Sequence, residues 1–494
     1  MMGIQGPGAL SSRHSCRLTC GLRSVRAEAG RPQKSLSGKF IQGLQSVRSS
    51  IERGNKAQAA TAEKTVSGPT EGTTEPDTPA AQIAKDSDRK QAVMFQGFGW
   101  SSCEKGGWYK IVQEKIPDLK AAGCTHIWLP PPSQSVAPQG YMPGLLYNLE
   151  TPYGSQEELV SLNKALKEAG IESVGDIVIN HRCAGEKGKD GVWNKFSDDR
   201  SQIDGAPIDW GRWAITGDDP EFKGKGAPDT GDDYGPAPDL DHTNEDLRKS
   251  LVDWMNWLKN DIGFTAWRFD FVKGYAPDFM NQYCGDTVGN EVFNVGEFWC
   301  DLKWGDGLEY DQNEPRQRLC DWLDKAAGCT LFDFVTKGIL SEAVKNCEYW
   351  RLRDGQGKQP GLMGWWPSRA VTFLDNHDTG STQQHWPFPS GKEETGYAYI
   401  LTHPGIPCVL WEHYFDYGKA SIVNELIEIR KRNGINATSS LEILCADGDM
   451  YLAKVDDKLQ VKLGPRYDMG DLSPGDEWKI VSSGNDFAVW ERNL

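Results

Sequence analysis

The chain has 494 residues, of which 25% are charged and 38% hydrophobic, and its formal net charge is −16. This composition is typical of a soluble globular protein, and since no run of eighteen apolar residues occurs, we predict no membrane partner. The acidic balance repels the phosphate backbone of nucleic acids, so we predict no nucleic-acid partner either. Nineteen tryptophans indicate either a large aromatic core or a protein that stacks on sugar rings.

The first 50 residues differ in composition from the rest of the chain. They contain six arginines, two lysines and nine serines but a single acid, Glu28. An arginine-rich, serine-rich and acid-poor segment is typical of an organelle transit peptide, which we predict over 1–50. The alternative is a disordered tail that carries no targeting signal. Residues 51–90 lack hydrophobic periodicity and predict a linker.

From residue 92 onward, short apolar runs alternate with helical patterns. Strands are predicted at 92–98, 126–130, 174–180, 266–271, 293–298, 330–334, 370–376 and 408–411. Helices are predicted at 108–123, 156–170, 244–263 and 422–434, among others. Eight strand–helix alternations, without a glycine-rich dinucleotide motif after the first strand, favour an α/β fold that closes as a (β/α)8 TIM barrel.

Two segments depart from this alternation. Residues 182–242, after the third strand, are rich in Gly, Asp and Trp and predict a loop-rich insertion. The barrel is then formed by 91–181 and 243–435. Residues 436–494 alternate apolar and polar positions between turn residues, and they predict a small C-terminal antiparallel β-sheet domain.

Carboxylates lie at the ends of three predicted strands. Asp270 ends the fourth strand, Glu297 lies in the fifth and Asp378 follows the seventh. The strand ends of a barrel share one rim, where barrel enzymes carry their catalytic groups. One carboxylate there is equally well explained as a helix cap, but three of them, with Arg268 and two histidines nearby, indicate an active site.

Four ordered motifs give the chain a resemblance to a known family. They are Asp176-Ile-Val-Ile-Asn-His-Arg182, Gly263-Phe-Thr-Ala-Trp-Arg-Phe-Asp-Phe271, Val295-Gly-Glu-Phe298 and Phe373-Leu-Asp-Asn-His-Asp378. With these motifs the chain resembles the α-amylase family of glycoside hydrolases over about residues 92–494. Gly364-Trp-Trp-Pro367 and Tyr397-Ala-Tyr-Ile-Leu-Thr-His-Pro-Gly-Ile-Pro407 make it similar to the plant type.

The resemblance implies endo-hydrolysis of α-1,4 bonds in starch and related α-glucans by a retaining mechanism. Asp270 matches the nucleophile, Glu297 the general acid/base, and Asp378 the third carboxylate, which orients sugar hydroxyls. Retention requires the first two to lie about 5–5.5 Å apart and to differ in protonation. Arg268 projects from the same strand face as Asp270, where its charge keeps that carboxylate ionised.

Further substrate contacts follow from the same resemblance. His181 and His377 match histidines that donate to sugar hydroxyls, Tyr141 a stacking platform and Lys273 an outer contact. A core histidine bonded to the backbone is the alternative for either histidine alone. Asp176 is expected to support the site structurally.

A calcium ion between barrel and insertion is also implied by the resemblance. Asn180 and Asp239 match its ligands, and we expect Asp233 and the backbone carbonyl of Gly274 to complete the set. Oxygen ligands on a loop suit Ca²⁺ rather than zinc. Without the resemblance, the Asp- and Gly-rich stretch 229–241 would indicate solvated turns.

Three aromatic residues match surface glucan sites of plant relatives, namely Trp365, Trp366 and Tyr467, with core packing as the alternative for each. Two rival functions stay open: a related transglycosylase or debranching enzyme, and an inactive glucan-binding scaffold. The presence of all three carboxylates argues against the scaffold. We expect a monomer that acts on starch in the chloroplast, where starch lies, with the mitochondrion as the alternative location.

If residues 1–50 are a transit peptide, residues 1–90 should direct import into the organelle and should not affect the activity or stability of the enzyme. A fluorescent reporter fused to 1–90 should enter the plastid. A chain beginning at Lys90 should lose import while keeping the activity and melting temperature of the full chain, because 51–90 offers too little apolar surface to pack on a barrel. Microscopy tests the import of the reporter, and activity assays with thermal melting test the shortened chain. A reporter that stays cytosolic or is secreted would contradict the transit peptide.

Overall fold

Eight short strands form a closed barrel in the computed structural model, which describes residues 88–196 and 200–493. They are β1 (Met94–Gln96), β2 (His126–Leu129), β3 (Glu172–Ile177), β4 (Ala266–Phe269), β5 (Val295–Gly296), β6 (Thr330–Phe332), β7 (Ala370–Phe373) and β8 (Ile406–Leu410). Neighbours are parallel, and β8 closes on β1 with Cys408 opposite Met94. The predicted barrel is confirmed, while the predicted transit peptide and nearly all of the linker lie outside the described residues.

Helices connect these strands. They are α1 (Trp108–Glu114), α2 (Ile116–Ala122), α3 (Gln156–Ala169), α4 (Glu245–Trp257), α5 (Met280–Gly285), α6 (Asn313–Lys325), α7 (Phe334–Asn346), α8 (Leu362–Trp365), α9 (Glu393–Thr402) and α10 (Ala420–Arg432). Two π-helical turns lie at Leu258–Ile262 and Glu412–Asp416. No helix within the described ranges has the length and hydropathy to cross a membrane.

The bounds of α3 follow from local sequence. Ser155 caps its start by accepting from the Glu158 amide, while Glu158 accepts from the Ser155 amide, a reciprocal capping box. Leu159, Leu162 and Leu166 are buried on one face. The helix ends at Gly170, whose left-handed φ of 75° glycine adopts without strain.

Two predicted helices are interrupted. The segment 108–123 is not one helix but two, α1 and α2, which meet at Lys115. Pro117 explains the break, because it has no amide hydrogen to continue the helical ladder and is tolerated only in a first turn. The segment 244–263 consists of α4 and the following π turn, and it ends at Gly263 as predicted.

The insertion leaves the barrel after β3 and returns before α4. It contains small antiparallel ladders, one of Glu186–Lys187 with Trp193–Lys195 and another of Gln202–Ile203 with Ala206–Pro207. Isolated bridges join His181 to Asp239 and Ile215 to Leu240. The return segment therefore runs beside the residues that directly follow β3.

The C-terminal sheet has five antiparallel strands: β9 (Leu441–Ala446), β10 (Tyr451–Val455), β11 (Leu459–Leu463), β12 (Trp478–Gly484) and β13 (Phe487–Arg492). Their order is β9-β10-β11-β13-β12. The alternation pattern located all of them except β9. A register shift between Ile443 and Cys445 interrupts the strict alternation of β9, which removes the period-two signal.

Candidate active site

Arg268 holds three carboxylates together at the rim of the barrel. Its Nη1 donates to Asp176 Oδ1 and to Asp270 Oδ1, each at 2.7 Å, and its Nη2 lies 2.9 Å from Glu297 Oε2. Strand register explains this convergence, because Arg268 pairs with Asp176 on β3 and with Val295 on β5. Asp270 and Glu297 each lie two residues further on, facing the same side.

Burial changes the proton affinity of these carboxyls. It raises the pKa of Asp270 to about 6, although the charge of Arg268 and a hydrogen bond with Glu297 oppose the rise. It also raises the pKa of Glu297, and it raises that of Asp378 well above the ordinary range, with repulsion between the carboxylates adding to both. Such a cluster cannot ionise completely. The arrangement suits one ionised and one protonated carboxyl side by side.

Asp378 is oriented by two neighbours in its own loop. Gln383 Nε2 donates to Asp378 Oδ1 at 2.7 Å, and His377 Nε2 lies 3.2 Å from Oδ2. Burial and Arg268 hold the pKa of His377 well below its usual value, so the ring is neutral. The Gln96 amide lies 3.2 Å from His377 Nδ1 and can donate to it. Nε2 is then the protonated nitrogen and donates to Asp378.

Aromatic rings line the rim beside Asp378. Tyr141 lies nearly parallel to His377 and to Trp100, with ring centroids 4.8 and 6.2 Å apart. The Tyr141 hydroxyl donates to Asp176 Oδ2 at 2.7 Å, so the carboxylate that supports Arg268 also orients this ring. Tyr141 and Trp100 are both partly exposed and can meet a sugar face. Sequence reasoning did not identify Trp100, whose motif context carries no signal.

His181 and Lys273 lie further along the rim. His181 is buried and stacks on Tyr234 with 3.8 Å between ring centroids. Burial lowers its pKa to about 4, and its Nε2 donates to the Tyr141 carbonyl at 2.9 Å. That leaves Nδ1 as an acceptor, which has no hydrogen-bond partner among the described residues. Lys273 Nζ is partly exposed and lies 3.4 Å from Asp232 Oδ2.

Oxygen atoms converge where the insertion returns to the barrel. Asn180 Nδ2 donates to Asp239 Oδ1 at 3.0 Å, whereas the buried Asn180 Oδ1 has no hydrogen-bond partner in the described part of the chain. The Gly274 backbone closes over that oxygen, since a Cβ on Gly274 would lie 2.0 Å from it. Burial and neighbouring acids raise the pKa of Asp239 to about 8. These oxygen atoms are suitable ligands for a hard cation, which prefers oxygen.

Asp229 belongs to the same acidic group, although sequence reasoning did not select it. Its Oδ2 is buried and without a hydrogen-bond partner in the described ranges, and burial raises its pKa to about 6. Asp233 is exposed. No group of three or more His, Cys, Asp and Glu side chains converges as a metal site within the described residues, so a site here depends on the amide and backbone oxygens as well.

The three aromatic residues matched to surface sites differ in exposure. Trp366 is fully buried, so core packing describes it. The guanidinium of Arg316 covers Trp365 at 3.9 Å from the ring centroid. Tyr467 is 98% exposed, which leaves its ring available to a ligand.

A closed (β/α)8 barrel with two carboxylates beside one buried arginine on its rim fits a glycoside hydrolase of the two-carboxylate type. Family models agree: "Alpha amylase, catalytic domain" matches residues 82–320, and "Alpha-amylase C-terminal beta-sheet domain" matches 432–491. The chain belongs to the α-amylase family.

Two relatives come from Arabidopsis thaliana. "Alpha-amylase 3, chloroplastic" is 42% identical over 84% of this chain, which spans 46% of that relative, and "Probable alpha-amylase 2" is 44% identical over 81% of this chain and 94% of its own length. Among solved structures, the cyclomaltodextrin glucanotransferase CldA has a TM-score of 0.59 at 18% identity, covering 81% of this chain and 99% of its own. An Anoxybacillus α-amylase has a TM-score of 0.56 at 19% sequence identity, and the match covers 82% of this chain and 98% of that one. At these identities the structures support the fold alone.

The oxygen cluster predicts that calcium stabilises the enzyme. A chelator should lower melting temperature and activity together, and added calcium should restore both, because the ion binds only the folded state. Asp229→Asn should reduce the calcium-dependent rise in melting temperature. Asp209→Asn, an exposed acid in the same insertion, is the matched control and should leave it unchanged. A melting curve indifferent to chelator would contradict the metal site.

Proposed function

We propose that this α-amylase-family enzyme cleaves internal α-1,4-glucosidic bonds of starch by a retaining double displacement that uses Asp270, Glu297 and Asp378. The observation that carries the proposal is the convergence of Asp270 and Glu297 on one buried arginine, Arg268. Arg268 holds Asp270 as the attacking carboxylate and Glu297 as the proton donor at the ends of adjacent strands, and a retaining mechanism requires such a pair.

In the first step, the Asp270 carboxylate attacks the anomeric carbon while Glu297 protonates the departing glycosidic oxygen. The bond to the leaving sugar breaks and a covalent glycosyl-enzyme forms. Glu297, now ionised, then removes a proton from water, which attacks the same carbon and releases Asp270. Glu297 Oε1 is buried and has no hydrogen-bond partner among the residues described.

Arg268 and Asp378 set the electrostatics of both steps. Arg268 stabilises the ionised form of Asp270 in a buried environment that would otherwise favour protonation. Asp378, held by Gln383 and His377, can accept hydrogen bonds from ring hydroxyls and so stabilise a distorted sugar. His181 is buried and donates to the Tyr141 carbonyl, so it supports the backbone of that ring.

Calcium would be held by Asn180, Asp229, Asp239 and the carbonyl of Gly274, with Asp233 nearby. When bound, it supplies positive charge that neutralises the buried acids and ties the insertion to the barrel. His181 directly follows Asn180 and pairs with Asp239, so order at this junction extends to the substrate contacts.

Plastid location is supported by the composition of residues 1–50 and by similarity to a relative named as chloroplastic. The similarity to a cyclomaltodextrin glucanotransferase is at 18% identity and therefore concerns the fold alone. It does not support a transglycosylase function for this chain. An inactive scaffold conflicts with the intact carboxylate set.

Asp270→Asn should abolish turnover while leaving the melting temperature nearly unchanged. The substitution keeps the side-chain volume but removes the nucleophilic charge, and loss of one member of a coupled set costs on the order of several thousand-fold in kcat. A reducing-sugar assay on amylose measures this loss. Asp278→Asn is the control, because Asp278 is an exposed acid that also follows β4 in the chain. Retention of a tenth of the activity by pure protein would refute the assignment.

Glu297→Gln should spare substrates that need little proton assistance. Aryl α-maltosides with good leaving groups should undergo the first step with a much smaller loss than starch, because their leaving groups depart as stable anions. Pre-steady-state release of the aryl group separates this step from hydrolysis of the intermediate. Equal losses on both substrates would instead assign Glu297 a structural role.

A further inference from the structure

A fully buried lysine lies beneath the loop that carries His377 and Asp378. Lys337 belongs to α7, and none of the catalytic steps uses it. Its Nζ lies 3.2 Å from Asp375 Oδ1 and donates to the Trp386 carbonyl at 2.9 Å. The same ammonium lies 4.8 Å from the centroid of the Trp386 ring. A charge this deep requires partners, and both of these partners belong to one loop, 375–388.

Asp375 ties the two ends of that loop to one carboxylate. It accepts from Thr379 Oγ1 at 3.0 Å near the start of the loop and from the Phe388 amide at 3.0 and 3.1 Å at its end. His413 Nε2 lies 3.5 Å from its other oxygen. Gly380 packs directly on it, since a Cβ there would lie 2.8 Å from Asp375 Cγ.

Hydrogen bonds lead from Asp375 to Asp378. Thr379 Oγ1, which donates to Asp375, accepts from the Asn376 amide at 3.0 Å. Asn376 Oδ1 in turn accepts from the amides of Asp378 and Thr379 at 3.0 and 2.8 Å. From the other side, the Trp386 amide donates to the Thr379 carbonyl at 3.0 Å. The backbone of Asp378 is therefore anchored along two routes that both end at Lys337.

The ion pair is also electrostatically necessary. Lys337 opposes the effect of burial on Asp375 and, with His413 and the Phe388 amide, holds the pKa of Asp375 below its ordinary value. Removal of the ammonium would leave a buried carboxylate without the lysine charge that offsets its burial, and such a group relaxes its surroundings or takes up a proton. Either response would change the hydrogen bonds that Asp375 makes to the loop.

We propose that Lys337 is a positioning residue for the hydrolytic reaction, which acts through Asp375 and Thr379 to place Asp378 against the sugar. The inference rests on the proposed function of Asp378. Because Asp378 stabilises the distorted sugar, loss of its placement should reduce kcat and leave ground-state binding of substrate unchanged.

Lys337→Met retains the length of the side chain and removes its charge. Assayed on amylose well below its melting temperature, it should lose at least tenfold in kcat with less than a twofold change in KM. Binding of acarbose, an inhibitor that resembles the transition state, should weaken by a similar factor, whereas maltoheptaose binding in the Asp270→Asn background should be unchanged. Lys462→Met, which removes a buried lysine from the C-terminal sheet, should keep full kcat. A folded Lys337→Met enzyme with more than half of the wild-type kcat would overturn the proposal.

Thr379 offers a milder test that does not create an unpaired buried charge. Thr379→Val removes only the hydroxyl that links Asp375 to Asn376, and it should lower kcat and acarbose affinity together. Thr379→Ser keeps the hydroxyl and should restore both. Equal kcat in the Val and Ser variants would overturn the proposal even if Lys337→Met fails to fold. Wild-type and Asp378→Asn activities test the underlying function separately, so the two failures are distinguishable.

Discussion

The active site depends on one buried guanidinium. Arg268 contacts carboxylates from three successive barrel strands, and it lies 4.8 Å from the centroid of the Trp128 ring, whose Nε1 also donates to Asp176. A single positive charge cannot neutralise Asp176, Asp270 and Glu297 completely. Burial raises the pKa of Glu297, repulsion from Asp270 adds to the rise and Arg268 opposes it, which suits the proposed role of Glu297 as the proton donor.

A second buried ion pair, of Lys337 with Asp375, lies at the loop that follows β7. Lys337 and Asp375 are as deeply buried as Arg268, yet they do not touch the reacting groups. Their hydrogen bonds end in the loop of Asp378, whereas Arg268 donates to Asp176 and Asp270 and forms an ion pair with Glu297. On the proposed assignment, the three catalytic carboxylates are held by two separate cations, Arg268 on β4 and Lys337 on α7.

The insertion adds a third constraint at the end of β3. Its return segment brings Asp239 beside Asn180 and His181, which places the oxygen cluster next to the proposed substrate contacts. The Tyr141 carbonyl accepts from His181, and the Tyr141 hydroxyl donates to Asp176. The proposed calcium junction is therefore connected to the Arg268 cluster by a short series of hydrogen bonds.

Periodicity and turn residues in the sequence were sufficient to determine the eight barrel strands, both ends of α3 and four of the five strands of the C-terminal sheet, because such signals depend on neighbours within a few residues. The motifs also identified Asp270, Glu297 and Asp378, whose roles remain proposals. Only the tertiary structure decided which charges meet. Lys337 and Asp375 are separated by 38 residues, and the oxygen without a partner on Asp229 gains meaning only because Asp229 lies near enough to Asp239 to raise its pKa. Burial decided the rest: closure of the barrel removes water from these groups, and a carboxyl's proton affinity depends on that loss of solvent rather than on its place in the sequence.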